Sequence, residues 1–304
     1  MVARDAWVSS GRFVDFGGAA ARRVFLRESG ASDGPALFFL HGFPTSSWDW
    51  SKLEPFLLKR YRLGYVDFLG FGASAKPARH RYSLLEQAQV ARAALDALGF
   101  ERVHLVAHDY GVSVAMQFLC EPALRARVAS LTLLNDDLYA ELHKPTPLEE
   151  RLRSRAGPLL GRFTSRERFA GDLRSRFSAR HQPAPGDLDQ QWQALADEGG
   201  AHRMHRLMRY LDDRAEFGPM WESALEEADV PVNFIWGMLD PLAGAGTLAH
   251  AVPRMRRFPN VTTLPDVGHF PHIEVPARVA TSLSAFVDSL PDAAAGRSAV
   301  LTSG

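Results

Sequence analysis

The sequence predicts an α/β protein, a mostly parallel eight-stranded sheet flanked by helices and interrupted by a helical insertion. Three observations carry this. Strand-like and helix-like segments alternate along the first part of the chain, which implies parallel strands covered by helices on both faces. The alternation stops between about Tyr139 and Asp229, where no buried strand is evident, and then resumes. Between one strand and the next helix lies Ala107-His108-Asp109-Tyr110-Gly111, a small-x-acid-x-small turn of the kind that exposes a nucleophile.

Taken in order, residues 12–16 and 22–26 read as a hairpin around Gly17-Gly18. Residues 36–40 are apolar on both faces and form a fully buried strand; residues 61–66 form another. Ser83-Leu84-Leu85-Glu86 is a capping-box sequence that opens a helix through about Leu98. Residues 103–107 and 130–134 are two more strands, with a helix-like run from Val112 to Leu119 between them. Residues 139–228 read as helices with proline-containing joints, rich in arginine and in bulky residues such as Phe163, Phe169, Trp192 and Met208. The same segment holds at least as many acidic residues, so its arginines are expected on a solvated, salt-bridged surface. Strands return at 230–236 and 261–264 with a helix between them, and a last helix runs from Pro276 to about Leu290. The expected organisation is a core of residues 1–138 and 229–290, a helical cap at 139–228, and an Ala/Gly/Ser-rich tail at 291–304 without order.

Composition narrows the function classes. With 304 residues, 46% hydrophobic content and 35 basic against 35 acidic residues, the chain reads as an ordinary globular protein with a large core. No basic excess points to nucleic acid, and no apolar run approaches the length of a membrane span. The opening residues lack the apolar core of a signal peptide, so the expected location is cytoplasmic. The single cysteine, Cys120, excludes an internal disulfide and is expected as a buried, reduced thiol.

Three further loops follow strands, where an open α/β sheet collects its site. His41-Gly42-Phe43-Pro44 follows the strand at 36–40, Gly237-Met238-Leu239-Asp240-Pro241 the strand at 230–236, and Asp266-Val267-Gly268-His269 the final strand. Nucleophile, acid and base then stand in the order Asp109, Asp240, His269, which is the α/β-hydrolase order. The backbone amides of Phe43 and Tyr110 are the candidate oxyanion-hole donors. Taken singly, each feature has a plain reading: Asp109 as a helix N-cap, His-Gly-Phe-Pro as a turn. Their joint occurrence in order favours catalysis. Asp136 and Asp137, after the strand at 130–134, are the alternative acids, while His41 and His108 are expected to support the site. His272 and Glu274 are expected to begin the last helix.

An aspartate at the turn changes the chemistry. Its carboxylate is already ionised at neutral pH. Attack on an ester carbonyl would give an anhydride, whereas displacement at saturated carbon gives an ordinary alkyl ester. His269, oriented by Asp240, would then activate water against that ester. The scheme serves epoxide opening and carbon–halogen cleavage alike, without metal or cofactor. An epoxide oxygen needs an acid, for which Tyr210 and Tyr139 are the candidates. A halide needs side-chain N–H donors, and Phe43 and Tyr110 stand where haloalkane dehalogenases would have Asn and Trp. The expected function is therefore an epoxide-hydrolase-like enzyme acting on a hydrophobic small molecule. The alternatives are a haloalkane dehalogenase or a non-catalytic ligand-binding member of the fold.

These motifs resemble the epoxide hydrolase and haloalkane dehalogenase branch of the α/β-hydrolase superfamily. The supporting segments are His41-Gly42-Phe43-Pro44-Thr45-Ser46-Ser47, Asp67-Phe68-Leu69-Gly70-Phe71-Gly72, Lys76-Pro77 and Leu239-Asp240-Pro241. His108-Asp109-Tyr110-Gly111 is similar, more narrowly, to the mesoderm-specific transcript protein family, whose members are only loosely characterised as hydrolases. The resemblance spans about residues 35–290 and is weakest across the insertion. Ala107 departs from the usual glycine, a small-for-small change.

Overall fold

The structure, a computed structural model, describes residues 2–18 and 22–291. Strands β1 (Arg12–Asp15) and β2 (Arg23–Gly30) form the expected antiparallel hairpin. Beyond it lie β3 (Ala36–Leu40), β4 (Arg62–Val66), β5 (Val103–His108), β6 (Val128–Leu134), β7 (Val232–Gly237) and β8 (Asn260–Leu264). They complete one eight-stranded sheet in the order β1-β2-β4-β3-β5-β6-β7-β8. Strand β2 also runs antiparallel to β4, and every pairing from β4 to β8 is parallel. The parallel strands need apolar residues on both faces. In β3, Phe38 and Leu40 pack on one side with Phe100 and Leu105, and Leu37 and Phe39 pack on the other with Trp50 and Tyr65.

Helix α1 (Arg4–Ser9) has no counterpart in the sequence reading. It buries Trp7 edge-on against Tyr65 at 4.8 Å, and the Arg27 guanidinium covers the indole at 4.0 Å. Helix α2 (Leu84–Leu98) starts as expected at Ser83, whose hydroxyl accepts from the Leu85 amide, and stops at Gly99 with φ 66°. Glu86 does not close the capping box; its carboxylate pairs with His80 at 2.5 Å. Helix α3 (Tyr110–Cys120) follows β5 directly. Cys120 is half-buried rather than buried, and its thiol is pushed up by burial and by Glu121, which keeps it protonated.

Between β6 and β7 the described chain is helical, as expected. Its longer helices are α4 (Pro147–Arg153), α5 (Arg166–Ser175), α6 (Pro185–Ala196) and α7 (Tyr210–Glu226). Thr146 and Glu149 close a reciprocal capping box at the start of α4. Helix α7 lies across α3, where the Trp221 indole donates to Gln117 Oε1 at 2.7 Å. Gln191 of α6 donates to the buried Asp49. Helices α8 (Ala245–Ala251) and α9 (Pro276–Asp288) complete the core. The tail expected at 291–304 lies, from residue 292 onward, outside the described residues. Among the described residues no helix is long and apolar enough to cross a membrane.

Candidate active site

The turn after β5 is strained in the way its sequence implies. Asp109 adopts φ 49° and ψ −124°, which costs a non-glycine residue on the order of 1–3 kcal/mol. A Cβ at Gly111 would stand 2.5 Å from the Leu40 carbonyl oxygen, so only glycine fits there. The turn lifts the Asp109 carboxylate into the space over the C-terminal ends of the strands. Its Oδ1 accepts from the Phe43 amide at 2.7 Å and from the Tyr110 amide at 2.6 Å. These are the two donors the sequence nominated. The other oxygen, Oδ2, lies 3.3 Å from His269 Nε2.

His269 and Asp240 meet as the chain order implies. The imidazole Nδ1 donates to Asp240 Oδ2 at 2.8 Å, and both residues are buried. Asn135, missed in the sequence reading, fastens this acid. Its Nδ2 donates to Asp240 Oδ2 and to the Gly237 carbonyl, each at 2.9 Å, and its Oδ1 accepts from the Gly237 amide at 2.8 Å. Asp240 Oδ1 accepts from the Leu242 amide at 2.8 Å. His272 and Glu274 do not begin the last helix, as the sequence led one to expect, but lie in a separate short helix, Pro271–Glu274, before α9; Glu274 accepts from the amides of Gly268, Phe270 and Ser178. It thereby ties the His269 loop to the insertion.

Charge organises the triad. Burial raises the Asp109 carboxyl, but the hydrogen bond and charge of His269 outweigh it and hold the group well below the ordinary carboxylate range. Burial disfavours the His269 imidazolium. The charge of Asp240 and contacts with both carboxylates more than offset this and push its pKa up to about 10. Asp240 is lowered: burial opposes ionisation, and His269, the Leu242 amide and Asn135 overcome it.

Asp136 and Asp137, the alternative acids, do not contact His269. Asp136 Oδ2 lies 3.1 Å from Arg214 Nη1, and Asp137 pairs with Arg214 and with His143, the latter at 2.6 Å. Burial and the neighbouring charges of Asp137 and Asp109 push the Asp136 carboxyl up to about 7 against the pull of Arg214. Tyr210 lines the cavity over Asp109, its ring 5.7 Å from Phe43 and 5.1 Å from Tyr110. Burial, and then the charge of Asp109, raise its phenol well above the ordinary value. Tyr139 does not join it. Its hydroxyl donates to Glu226 at 3.0 Å and it is absent from the cavity lining, which corrects the expectation that it partners Tyr210.

Two further histidines are hydrogen-bonded beside these residues. His41 Nδ1 donates to the Gly42 carbonyl and its Nε2 accepts from the Phe68 amide. His108 Nε2 donates to the His269 carbonyl at 2.8 Å. The insertion supplies five lining residues that the sequence did not single out: His143, Lys144, Glu149, Arg176 and Arg214. The Arg176 carbonyl accepts from the His269 amide at 2.9 Å, which fixes the end of α5 on the His269 loop. The space over Asp109, about 500 Å³ with its opening to solvent included, is narrow and strongly charged. A second space of about 950 Å³, its opening to solvent included, adjoins it and shares Phe43 and Arg176; Leu148, Phe163, Phe169 and Met204 make its wall mostly apolar, interrupted by Arg151, Arg168 and Asp172. The chamber over Asp109 itself is therefore polar, and the apolar surface expected for a hydrophobic substrate lies beside it.

Comparison with known proteins agrees with this fold. The family described as alpha/beta hydrolase fold matches residues 35–276. The putative hydrolase LipZ of Mycobacterium tuberculosis is 34% identical over 286 residues, covering 93% of this chain and 97% of that protein. The mesoderm-specific transcript homolog protein of Homo sapiens is 32% identical over 299 residues, covering 94% of this chain and 88% of that one. Among solved structures, haloalkane dehalogenase DbeA from Bradyrhizobium elkani superimposes with a TM-score of 0.80 at 20% identity, covering 93% of this chain and 99% of that one. At that identity the likeness is one of fold. The sheet order, the turn bearing Asp109 and these matches agree that the chain belongs to the α/β-hydrolase fold family, as a hydrolase that resembles the mesoderm-specific transcript proteins.

Proposed function

We propose that this hydrolase opens an epoxide through an ester on Asp109, with residues 139–228 acting as a cap over the site. The observation that carries the reading is the asymmetry of the carboxylate. Oδ1 is held by two amides, while Oδ2 faces the cavity beside His269. Oδ2 attacks an epoxide carbon, the ring C–O bond breaks, and the oxygen takes the Tyr210 hydroxyl proton. Arg214, one helical turn after Tyr210 on the same face of α7, favours the phenolate that remains.

Forming the ester removes the negative charge that held a proton on His269, and leaves a phenolate that accepts one. The proton passes from His269 to Tyr210, and the neutral imidazole becomes a general base. Water gives its proton to His269 Nε2 and attacks the Asp109 carbonyl carbon. The negative charge that develops on Oδ1 lies against the amides of Phe43 and Tyr110. Collapse breaks the bond from carbon to Oδ2, the diol oxygen takes the proton from His269, and Asp109 returns its own proton to the imidazole. The resting ion pair is restored with no cofactor.

The reactive end of the substrate would occupy the charged chamber, and an apolar body the adjoining, mostly apolar space. Tyr210 in the lining offers an acid to an epoxide oxygen, which favours an epoxide; Arg176, Arg214 and Lys144 in the same lining are the side-chain donors that a halide would use. A panel of terminal epoxides and haloalkanes tests the choice. Diol formation that vanishes in Asp109→Ala supports it; halide release without diol contradicts it.

A further inference from the structure

The arginines of the insertion do not all find acidic partners. Residues 151–168 contain six arginines and one acidic residue, Glu167, although the insertion as a whole is balanced. Part of this run closes an open cleft of about 1370 Å³ at the seam between the insertion and the loop before α2. Eight of its eleven lining residues are basic and none is acidic. The core supplies Arg79, His80 and Arg81; the insertion supplies Arg153, Arg155, His205, Arg206 and Arg209.

Some of these charges are compensated from behind. Arg81 reaches Asp213 at 2.8 Å, Arg153 and Arg209 share Asp212, and His80 pairs with Glu86. Arg79, Arg155 and Arg206 have no ion pair among the described residues. Several guanidinium groups on one concave surface repel one another, and the concave walls focus their potential. In a chain of zero formal net charge this concentration is local. Guanidinium forks match phosphate oxygens in bidentate geometry, and several forks around one cleft call for a ligand with more than one anionic oxygen.

We propose that this cleft binds a phosphate-bearing anion that bridges the loop 79–81 and the insertion. Two sources share this chemistry, a free polyphosphorylated small molecule and a phospholipid headgroup. The cleft is separate from the Asp109 chamber, with which it has no lining residue in common, so the inference holds whatever reaction Asp109 performs.

Calorimetric titration of the full chain with tripolyphosphate, with citrate as comparator, tests the soluble source. Flotation with phosphatidylcholine vesicles, with and without phosphatidic acid, tests the lipid source. The expected result is one saturable event with at least one phosphate probe, weakened by salt and tighter than citrate. Replacing Arg79, Arg155 and Arg206 together by Gln weakens it at least about tenfold, because charge-assisted hydrogen bonds are lost. Arg155→Glu alone weakens it in the same direction and serves if the triple variant does not fold. Binding of tripolyphosphate assigns a soluble ligand; binding of phosphatidic acid vesicles alone assigns a headgroup. The proposal is overturned if neither probe binds saturably, if citrate binds as tightly, or if the variants bind like the parent chain.

Discussion

The Phe43 amide donates to Oδ1 of Asp109 at 2.7 Å, so one carboxylate oxygen already occupies the position that an ester carbonyl oxygen would take. The other oxygen is the only one left to attack. If it does so, the oxygen delivered to the first product molecule comes from Asp109 and not from water. A single turnover in heavy-oxygen water should label the peptide containing Asp109 and leave the first product unlabelled. Label in the product and none in the peptide would mean that water attacks the substrate directly.

Asp109 and Asp240 together hold the proton on His269, whose pKa is pushed up to about 10. Replacing Asp109 by Asn removes one of the two charges and mimics the neutral ester. The imidazole resonances of His269, followed by NMR across a pH titration, should then titrate at lower pH than in the parent chain. An unchanged midpoint would remove the reason given for His269 becoming a base only after alkylation.

Tyr210 and Tyr139 separate cleanly in the structure, one over Asp109 and one bonded to Glu226. Tyr210→Phe should lower kcat on an epoxide by about a hundredfold or more, the scale of a lost general acid. Tyr139→Phe should leave kcat within a fewfold of the parent. Equal losses in both variants would contradict the assignment of the acid.

His143 lies between Asp137 and Glu149, and its hydrogen bonds to them push its pKa up to about 9 against burial. A histidine raised in the folded state stabilises fully below its unfolded pKa near 6.5 and loses that contribution as pH rises through about 9. His143→Gln should therefore be less stable than the parent at low pH, by about 1–3 kcal/mol. Denaturant melts should show the gap narrowing as pH rises through 9. A gap independent of pH would show that His143 is neutral when folded.

Much of the core was legible because its signals are local. The apolar run at 36–40, the hairpin glycines and the small residues around Asp109 each state a backbone requirement within a few positions. Chain order then paired Asp240 with His269. Asn135 was visible only as a neighbour of two candidate acids, because its role depends on three groups 102 to 108 residues away. The insertion was harder. Which of Tyr139 and Tyr210 faces the nucleophile, and how Arg176, Arg214 and His143 enter the cavity, follow from helix packing that no local pattern encodes. The arginine balance was legible in part: Arg153, Arg166, Arg176 and Arg209 form the expected salt bridges, but a sum over the segment hides that Arg155 and Arg206 have none among the described residues.

The proposed reaction turns on a covalent ester on Asp109 that His269 clears. His269→Gln, mixed with a turned-over epoxide and digested, gives the direct measurement by mass spectrometry. The peptide spanning residue 109 should gain the mass of the whole epoxide, and Asp109→Asn in the same background should abolish the gain. Turnover by the parent enzyme with no adduct in His269→Gln, or an adduct on any other residue, would contradict the proposed reaction.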